Sequence, residues 1–210
     1  MKGYYINLKH RKDRDENIKQ LKNKYDFFKN IERFDAIYDT RYGVGCCSSH
    51  IECLKKCLNL NDEYYLILED DLQITDEVVF EQFVINFEKI KNNNNWDVIT
   101  LTPRGITKQK YFIDNFHRII NNQTATAYII KHEFIKRLLP ILQNGLIGLQ
   151  NAKTRKESHP CCYDQCWKPI QQKTNWLYFH KIFATQKPGY SDIEKRNVNY
   201  NKRFFEQLKY

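Results

Sequence analysis

Apolar and aromatic residues run without polar interruption from Tyr64 to Leu68, and three carboxylates, Glu69, Asp70 and Asp71, follow at once. A run without period-two alternation predicts a strand buried on both faces. Elsewhere the period is helical. Ile18, Leu21 and Tyr25 predict a helix after a first strand at 4–8. Cys47, Ile51, Leu54 and Leu58 predict a second helix over 46–59, beside a stripe of Cys46, His50, Cys53 and Cys57. Phe80, Phe83, Val84 and Phe87 mark a third helix; Phe134, Leu138, Leu139 and Leu142 mark a fourth, with Pro140 a point of kinking. Strand patterns occur at 31–37, 96–101, 124–130 and 176–183, and the segment 111–120 carries no decisive pattern. The asparagine run 92–95 and the glycine-containing, then basic stretch 144–160 predict exposed loops. Strands alternating with helices indicate an α/β sandwich, its mostly parallel central sheet flanked by helices. A single domain over 1–195 and a basic, tyrosine-rich C-terminal tail over 196–210, at most weakly helical, are expected.

The three acids end a central strand, and ligands of open α/β sheets bind outside the carboxyl ends of the strands. Adjacent carboxylates repel unless a cation lies among them, and their oxygens are the ligands that hard ions such as Mg²⁺ or Mn²⁺ take. The competing reading is a solvated acidic turn; so apolar a strand leading into the acids favours a metal or nucleotide role.

Composition narrows the partners. The 210 residues are 41% hydrophobic and 14% aromatic, which is globular rather than disordered. A net charge of +9, from 34 Lys and Arg against 25 Asp and Glu, favours anionic partners, including peripheral contact with an anionic membrane. The cations are spread along the chain, which weakens a nucleic-acid role. The N-terminal apolar stretch is far shorter than a signal-peptide core, and no run reaches membrane-span length. Seven cysteines cannot all pair internally, so a cytoplasmic chain with reduced thiols is expected. Thiolates and imidazole at one-turn spacing can share a zinc, but the 46–57 stripe lacks a Cys-x-x-Cys knuckle. Packing as small hydrophobes is the preferred reading of it.

Taken in order, the chain carries INLKHRKDR at 6–14, VGCCSSH at 44–50, LILEDD at 66–71, WDVITL at 96–101, TATAYII at 124–130, YDQ at 163–165 and ATQKPGYSDI at 184–193. The ordered set resembles glycosyltransferase family 25, which includes bacterial lipooligosaccharide galactosyltransferases and the galactosyltransferase domains acting on collagen hydroxylysine. The resemblance implies a GT-A (Rossmann-like) fold and a UDP-sugar donor, usually UDP-galactose, with UDP-glucose the other hexose donor expected. It further implies inverting transfer of the hexose to a hydroxyl of a glycan or hydroxylysine-type acceptor, with Mn²⁺ or Mg²⁺ as cofactor. The acidic triplet would stand for the family's Asp-x-Asp motif: Glu69 toward the nucleotide, Asp71 on the ion bridging two phosphates, Asp70 serving either, all three being candidate metal ligands. Asn7, Arg11 and Arg14 would meet the uridine or phosphates, Arg supplying bidentate, always-charged donors. Solvation on a helix surface is the alternative for both arginines. The resemblance makes Ser49 and His50 pocket elements, whereas the helical pattern makes His50 a hydrogen-bonded core residue. Asp164 would be the general base of an inverting transfer, with a helix N-cap as its alternative. Gln186, Ser191 and Asp192 would close the donor pocket, unless Pro188-Gly189 marks an ordinary turn.

Departures leave the acceptor open: the chain is short for an animal collagen enzyme, and the basic stretch 153–156 and the cysteines after residue 160 follow no recognised pattern. Two other classes compete. A nucleotidyl- or phosphoryl-transfer enzyme would need a third well-placed acid and usually a phosphate loop, and no Walker-type glycine loop occurs. A non-enzymatic basic nucleic-acid-binding protein would show a recognition motif, and none of that class is present.

Overall fold

Alternate residues of the 64–68 run enter different cores: Tyr65 and Ile67 pack on one face of the sheet, Leu66 and Leu68 on the other. Two-sided burial is why that run carries no polar position. The computed structural model of the chain describes residues 1–206. Its elements, in order, are β1 (Gly3–Asn7), α1 (Lys12–Lys24), β2 (Ile31–Asp35), α2 (Val44–Leu58), β3 (Tyr64–Glu69), β4 (Leu72–Ile74), α3 (Glu77–Ile90), β5 (Val98–Thr100), β6 (Thr107–Ile113) and β7 (Phe116–Ile119). There follow β8 (Ala127–Lys131), α4 (His132–Asn151), one-turn helices α5 (Arg155–Ser158), α6 (Tyr163–Cys166) and α7 (Lys168–Gln171), β9 (Trp176–Phe179), β10 (Ala184–Gln186), β11 (Gly189–Ser191), β12 (Arg196–Val198) and α8 (Asn201–Glu206).

Eight strands form one sheet in the order β2-β1-β3-β8-β5-β9-β7-β6. β1 pairs in parallel with β2 and β3, and β5 with β9; β8 and β7 are antiparallel to both of their neighbours. Six of the eight strands therefore run one way, and β7 and β8 are reversed. Ile51 and Leu54 of α2 pack with Leu138 and Leu142 of α4 on one face. Ile18 of α1 and Phe80, Phe83 and Phe87 of α3 cover the other. Two small ribbons attach at the carboxyl end of β3: β10 pairs with β4, placing Gln186 opposite Leu72, and β11 pairs with β12.

Two expectations need correction, and one undecided segment resolves into strand. The stretch 144–160 is not a loop. α4 continues through Pro140 to Asn151, and α5 follows after a short break. Gly145 and Gly148 are packing positions rather than breakers: a Cβ on Gly145 would stand 2.8 Å from Cys166 Sγ, and one on Gly148 would collide with Cys161 Sγ. The undecided segment 111–120 lies in the edge hairpin β6–β7. The tail from Arg196 starts as the second strand of a hairpin and continues into α8, where Phe204 is fully buried. Positions 207–210 of that tail lie outside the described residues. Among the described residues no helix is long and apolar enough to cross a membrane.

Candidate functional site

β3 delivers Glu69 as its last residue, and Asp70 and Asp71 form the turn into β4. Asp70 is 7% exposed and Asp71 5%, so their charges need internal partners. Arg14, on the first turn of α1, supplies them: its Nη1 donates to Asp70 Oδ1 at 2.9 Å and to Asp71 Oδ2 at 3.0 Å. Asn7 Nδ2 donates to Asp70 Oδ2 at 2.8 Å, and Gln186 Nε2 to Asp71 Oδ2 at 2.9 Å. Arg33 Nε donates to Asn7 Oδ1 at 3.0 Å and holds the amide in place. Asp71 Oδ1 is buried and has no hydrogen-bond partner among the described residues. Burial, reinforced by the charges of Glu69 and Asp70 and opposed by Arg14, raises the Asp71 carboxyl to about 7. Burial likewise outweighs Arg14 and Asn7 in raising Asp70. Glu69 goes the other way. Burial works against its charge, but the neighbouring His50 imidazole and the Thr126 hydroxyl outweigh it and lower its pKa.

An oxygen with no donor, on a carboxylate crowded by two others, fits a hard divalent cation as ligand. Asp71 is thus the residue of the triplet best suited to hold one, with Asp70 or Glu69 beside it.

A cavity of about 150 Å³ opens over these acids. Arg14, Ser49, His50, the three acids, Gln186, Ser191 and Asp192 all border it, together with the chain from Ala36 to Gly43. Asn7 and Arg11 do not; they hold residues that do. Arg11 Nη1 donates to Asp192 Oδ2 at 2.7 Å and to the Tyr190 carbonyl at 3.1 Å, and Arg14 Nη2 reaches that carbonyl at 2.8 Å. The β11–β12 hairpin is thereby fastened to the mouth of β1. Ser49 is fully buried: its Oγ donates to the Gly45 carbonyl and accepts from Ile37 N–H at 2.8 Å, securing the 36–43 segment. His50 is also fully buried, with Nδ1 3.2 Å from Tyr128 Oη and Nε2 3.3 Å from Glu69 Oε1.

A second cavity, of about 340 Å³, adjoins the first. Glu69, Cys46, Gln186 and Ser191 border both, so the two share a wall. Asp164 lies in the second, its Oδ2 accepting from Thr124 N–H at 3.1 Å and its Oδ1 from Gln165 Nε2 at 3.2 Å. Thr124 has a φ of +82°, a left-handed conformation costly for a β-branched residue, and the Asp164 bond helps to hold it. Asp164 caps no helix; the residue before α6 is Cys162, which makes no side-chain cap. Arg104, Arg155, Arg196 and Arg203 give this cavity a basic border, and Tyr42 and Tyr200 supply aromatic faces.

Several site residues escaped the pattern reading. Thr126 Oγ1 donates to Glu69 Oε2 at 3.1 Å, and the hydroxyls of Tyr128 and Tyr163 meet at 2.6 Å behind His50. Threonines at alternate positions in an otherwise apolar stretch, 124 and 126, were the available signal. Arg196, Tyr200 and Arg203 were legible only as part of a basic, tyrosine-rich tail, with nothing to tie them to the site. Of the 46–57 stripe, Cys53 and Cys57 are core residues, while Cys46 faces Glu69 at 3.7 Å.

The fold is of the GT-A glycosyltransferase type, and the family comparison makes the chain a glycosyltransferase. The family model for glycosyltransferase family 25 (LPS biosynthesis protein) matches residues 40–150, more than half of the chain, and the chain belongs to that family. A glycosyltransferase involved in glycosylation of the major capsid of PBCV-1 superposes with a TM-score of 0.53 at 10% sequence identity, over 92% of this chain and 95% of that one. A Drosophila beta-1,4-galactosyltransferase 7 mutant, in complex with manganese, UDP-Gal and xylobiose, superposes at 0.49 with 8% identity, over 99% and 80%. No curated protein sequence matches. The family match takes in the 44–50 segment and the acidic triplet; Asp164 and the 184–193 segment lie beyond it.

Proposed function

We propose that this glycosyltransferase moves a hexose, galactose or glucose, from a UDP-sugar to a hydroxyl of a glycan or hydroxylysine-type acceptor, with inversion. The observation that carries the reading is the shared wall. The cavity over the acidic triplet and the cavity holding Asp164 meet at Glu69. A donor in the first and an acceptor in the second would bring their reacting ends together where the two cavities join.

Each group then has a task. The 36–43 segment, with Tyr38 61% exposed at the rim, offers an apolar and aromatic face to a uracil ring. Asp71, with Asp70 or Glu69, would hold Mn²⁺ or Mg²⁺, which when bound offsets the charge of a departing diphosphate as a Lewis acid. Arg14, already fixed by Asp70 and Asp71, adds positive charge beside that diphosphate. Asp164 accepts the proton of the acceptor hydroxyl as its oxygen bonds to the sugar carbon and UDP leaves. Among the described residues each Asp164 oxygen holds one hydrogen bond from the protein. That fixes the carboxylate without exhausting its lone pairs. The basic border of the second cavity suits an acceptor carrying negative charge.

The test is a donor screen of the purified protein with several UDP-sugars and Mn²⁺, following UDP release with and without candidate hydroxyl acceptors. Release from UDP-galactose or UDP-glucose is expected. Release of pyrophosphate from a nucleoside triphosphate, with no UDP from any sugar donor, would replace this reading with nucleotidyl transfer.

A further inference from the structure

Cys46 and His50 lie one turn apart on α2 and Glu69 ends β3, and one potential ligand atom from each lies within 4.8 Å of the other two. Two of the separations are known closely: His50 Nε2 to Glu69 Oε1 is 3.3 Å, and Cys46 Sγ to Glu69 Oε1 is 3.7 Å. Zinc bonds of about 2.0–2.3 Å to N, O and S set tetrahedral ligand–ligand edges of about 3.3–3.7 Å. The observed separations match those edges before any ion is added. We infer that Cys46, His50 and Glu69 form a three-ligand site for a borderline divalent ion of the zinc class, distinct from the hard-ion position at Asp71.

The residues behind the ligands support this. Metal-binding histidines nearly always use the second ring nitrogen in a hydrogen bond that fixes the tautomer. Here Nδ1 faces Tyr128 Oη at 3.2 Å, Tyr128 Oη lies 2.6 Å from Tyr163 Oη, and the imidazole stacks on the Tyr163 ring at 4.2 Å. Glu69 uses Oε2 for the Thr126 hydroxyl and keeps Oε1 for the cluster. The donor set of sulfur, imidazole and carboxylate is one that zinc and cobalt take and that Mg²⁺ does not. Binding replaces the thiol proton of Cys46 by the ion, so one proton leaves to solvent per ion bound. Three protein ligands leave a fourth position open, and because Cys46 and Glu69 border both cavities that position lies at their junction. An ion there would take Glu69 away from the donor side.

The probes are Zn²⁺ alone and Co²⁺ alone, with no nucleotide or acceptor, so the outcome is separate from that of the donor screen. The wild type should take up one Co²⁺ with a sulfur-to-cobalt charge-transfer absorption that Zn²⁺ abolishes. Cys46→Ser should lose that absorption, and Asp71→Asn should keep it. Tyr128→Phe, which leaves the ligands intact, should weaken Co²⁺ binding by about tenfold or more. Zn²⁺ should also slow alkylation of Cys46 in the wild type, read by peptide mass, which keeps the test open if Cys46→Ser does not fold. No charge-transfer absorption in the wild type, its survival in Cys46→Ser, or unprotected Cys46 would reduce the cluster to a hydrogen-bonded network.

Discussion

The guanidinium of Arg14 lies 3.0 Å from the Asp71 carboxylate, its Nη1 donating to Oδ2, and both side chains are largely buried. The same nitrogen holds Asp70. One cation therefore serves two buried acids. Removing one partner of a buried pair typically costs about 3–5 kcal/mol, because the other charge is stranded. The partial exposure of Arg14 puts Arg14→Gln toward the lower end of that range. The loss should be larger at about pH 8 than at about pH 5, where Asp71 escapes by protonation. Denaturant melts at both values check this; equal losses would show that Arg14 is not the counter-charge of Asp71.

Asp71 also sets a pH dependence of its own. Burial first, and the neighbouring acids after it, raise its carboxyl from 3.8 to about 7. A raised carboxylate favours the protonated native state. Its contribution to stability is complete below pH 3.8 and is lost as pH rises through about 7. Metal-free wild type should therefore lose stability relative to Asp71→Asn as pH rises through that window. Thermal melts of the two proteins across the window give the difference directly. A difference that stays constant, or changes sign, would contradict the burial argument.

Gly45 sits in the first turn of α2, where a Cβ would stand 2.5 Å from the Ile37 carbonyl and 3.0 Å from Asp39 N. Both neighbours are backbone and cannot rotate away. Gly45→Ala should push the 36–43 segment outward, lowering the melting temperature and weakening UDP binding together. Unchanged UDP affinity would separate that segment from the donor cavity.

Asp164 belongs to the acceptor side in this account. Asp164→Asn should bind UDP and Mn²⁺ like the wild type while transferring sugar about 10²–10⁴-fold more slowly, the usual cost of losing a positioned base. Loss of UDP affinity would move Asp164 to the donor site; near-normal transfer would leave it only the support of Thr124.

Local signals carried much of the fold, and their failures have physical causes. β3 was legible because burial on both faces leaves no polar position, and the acids follow it directly. The end of α4 was not, because glycine reads as a breaker unless one knows that Cys161 and Cys166 press against it. The β6–β7 hairpin lies at the sheet edge, where β6 is mostly exposed and its pattern correspondingly weak. In the site, residue types were readable but partners were not. Arg14 looked like a phosphate donor, and its bonds to Asp70 and Asp71 span more than fifty positions of chain. Cys46 and Glu69 meet only because α2 packs across the end of β3, which no spacing within α2 discloses.

On this reading the acids closing β3 hold a nucleoside diphosphate through a divalent ion at Asp71. Titration calorimetry of UDP in the presence of Mn²⁺, comparing wild type with Asp71→Asn, tests it most directly. Asn keeps the shape and the Gln186 neighbour but removes the charge, so the fold should persist while Mn²⁺-dependent UDP affinity falls below detection. A folded Asp71→Asn protein that binds UDP and Mn²⁺ as tightly as the wild type would show that no ion at Asp71 holds the diphosphate.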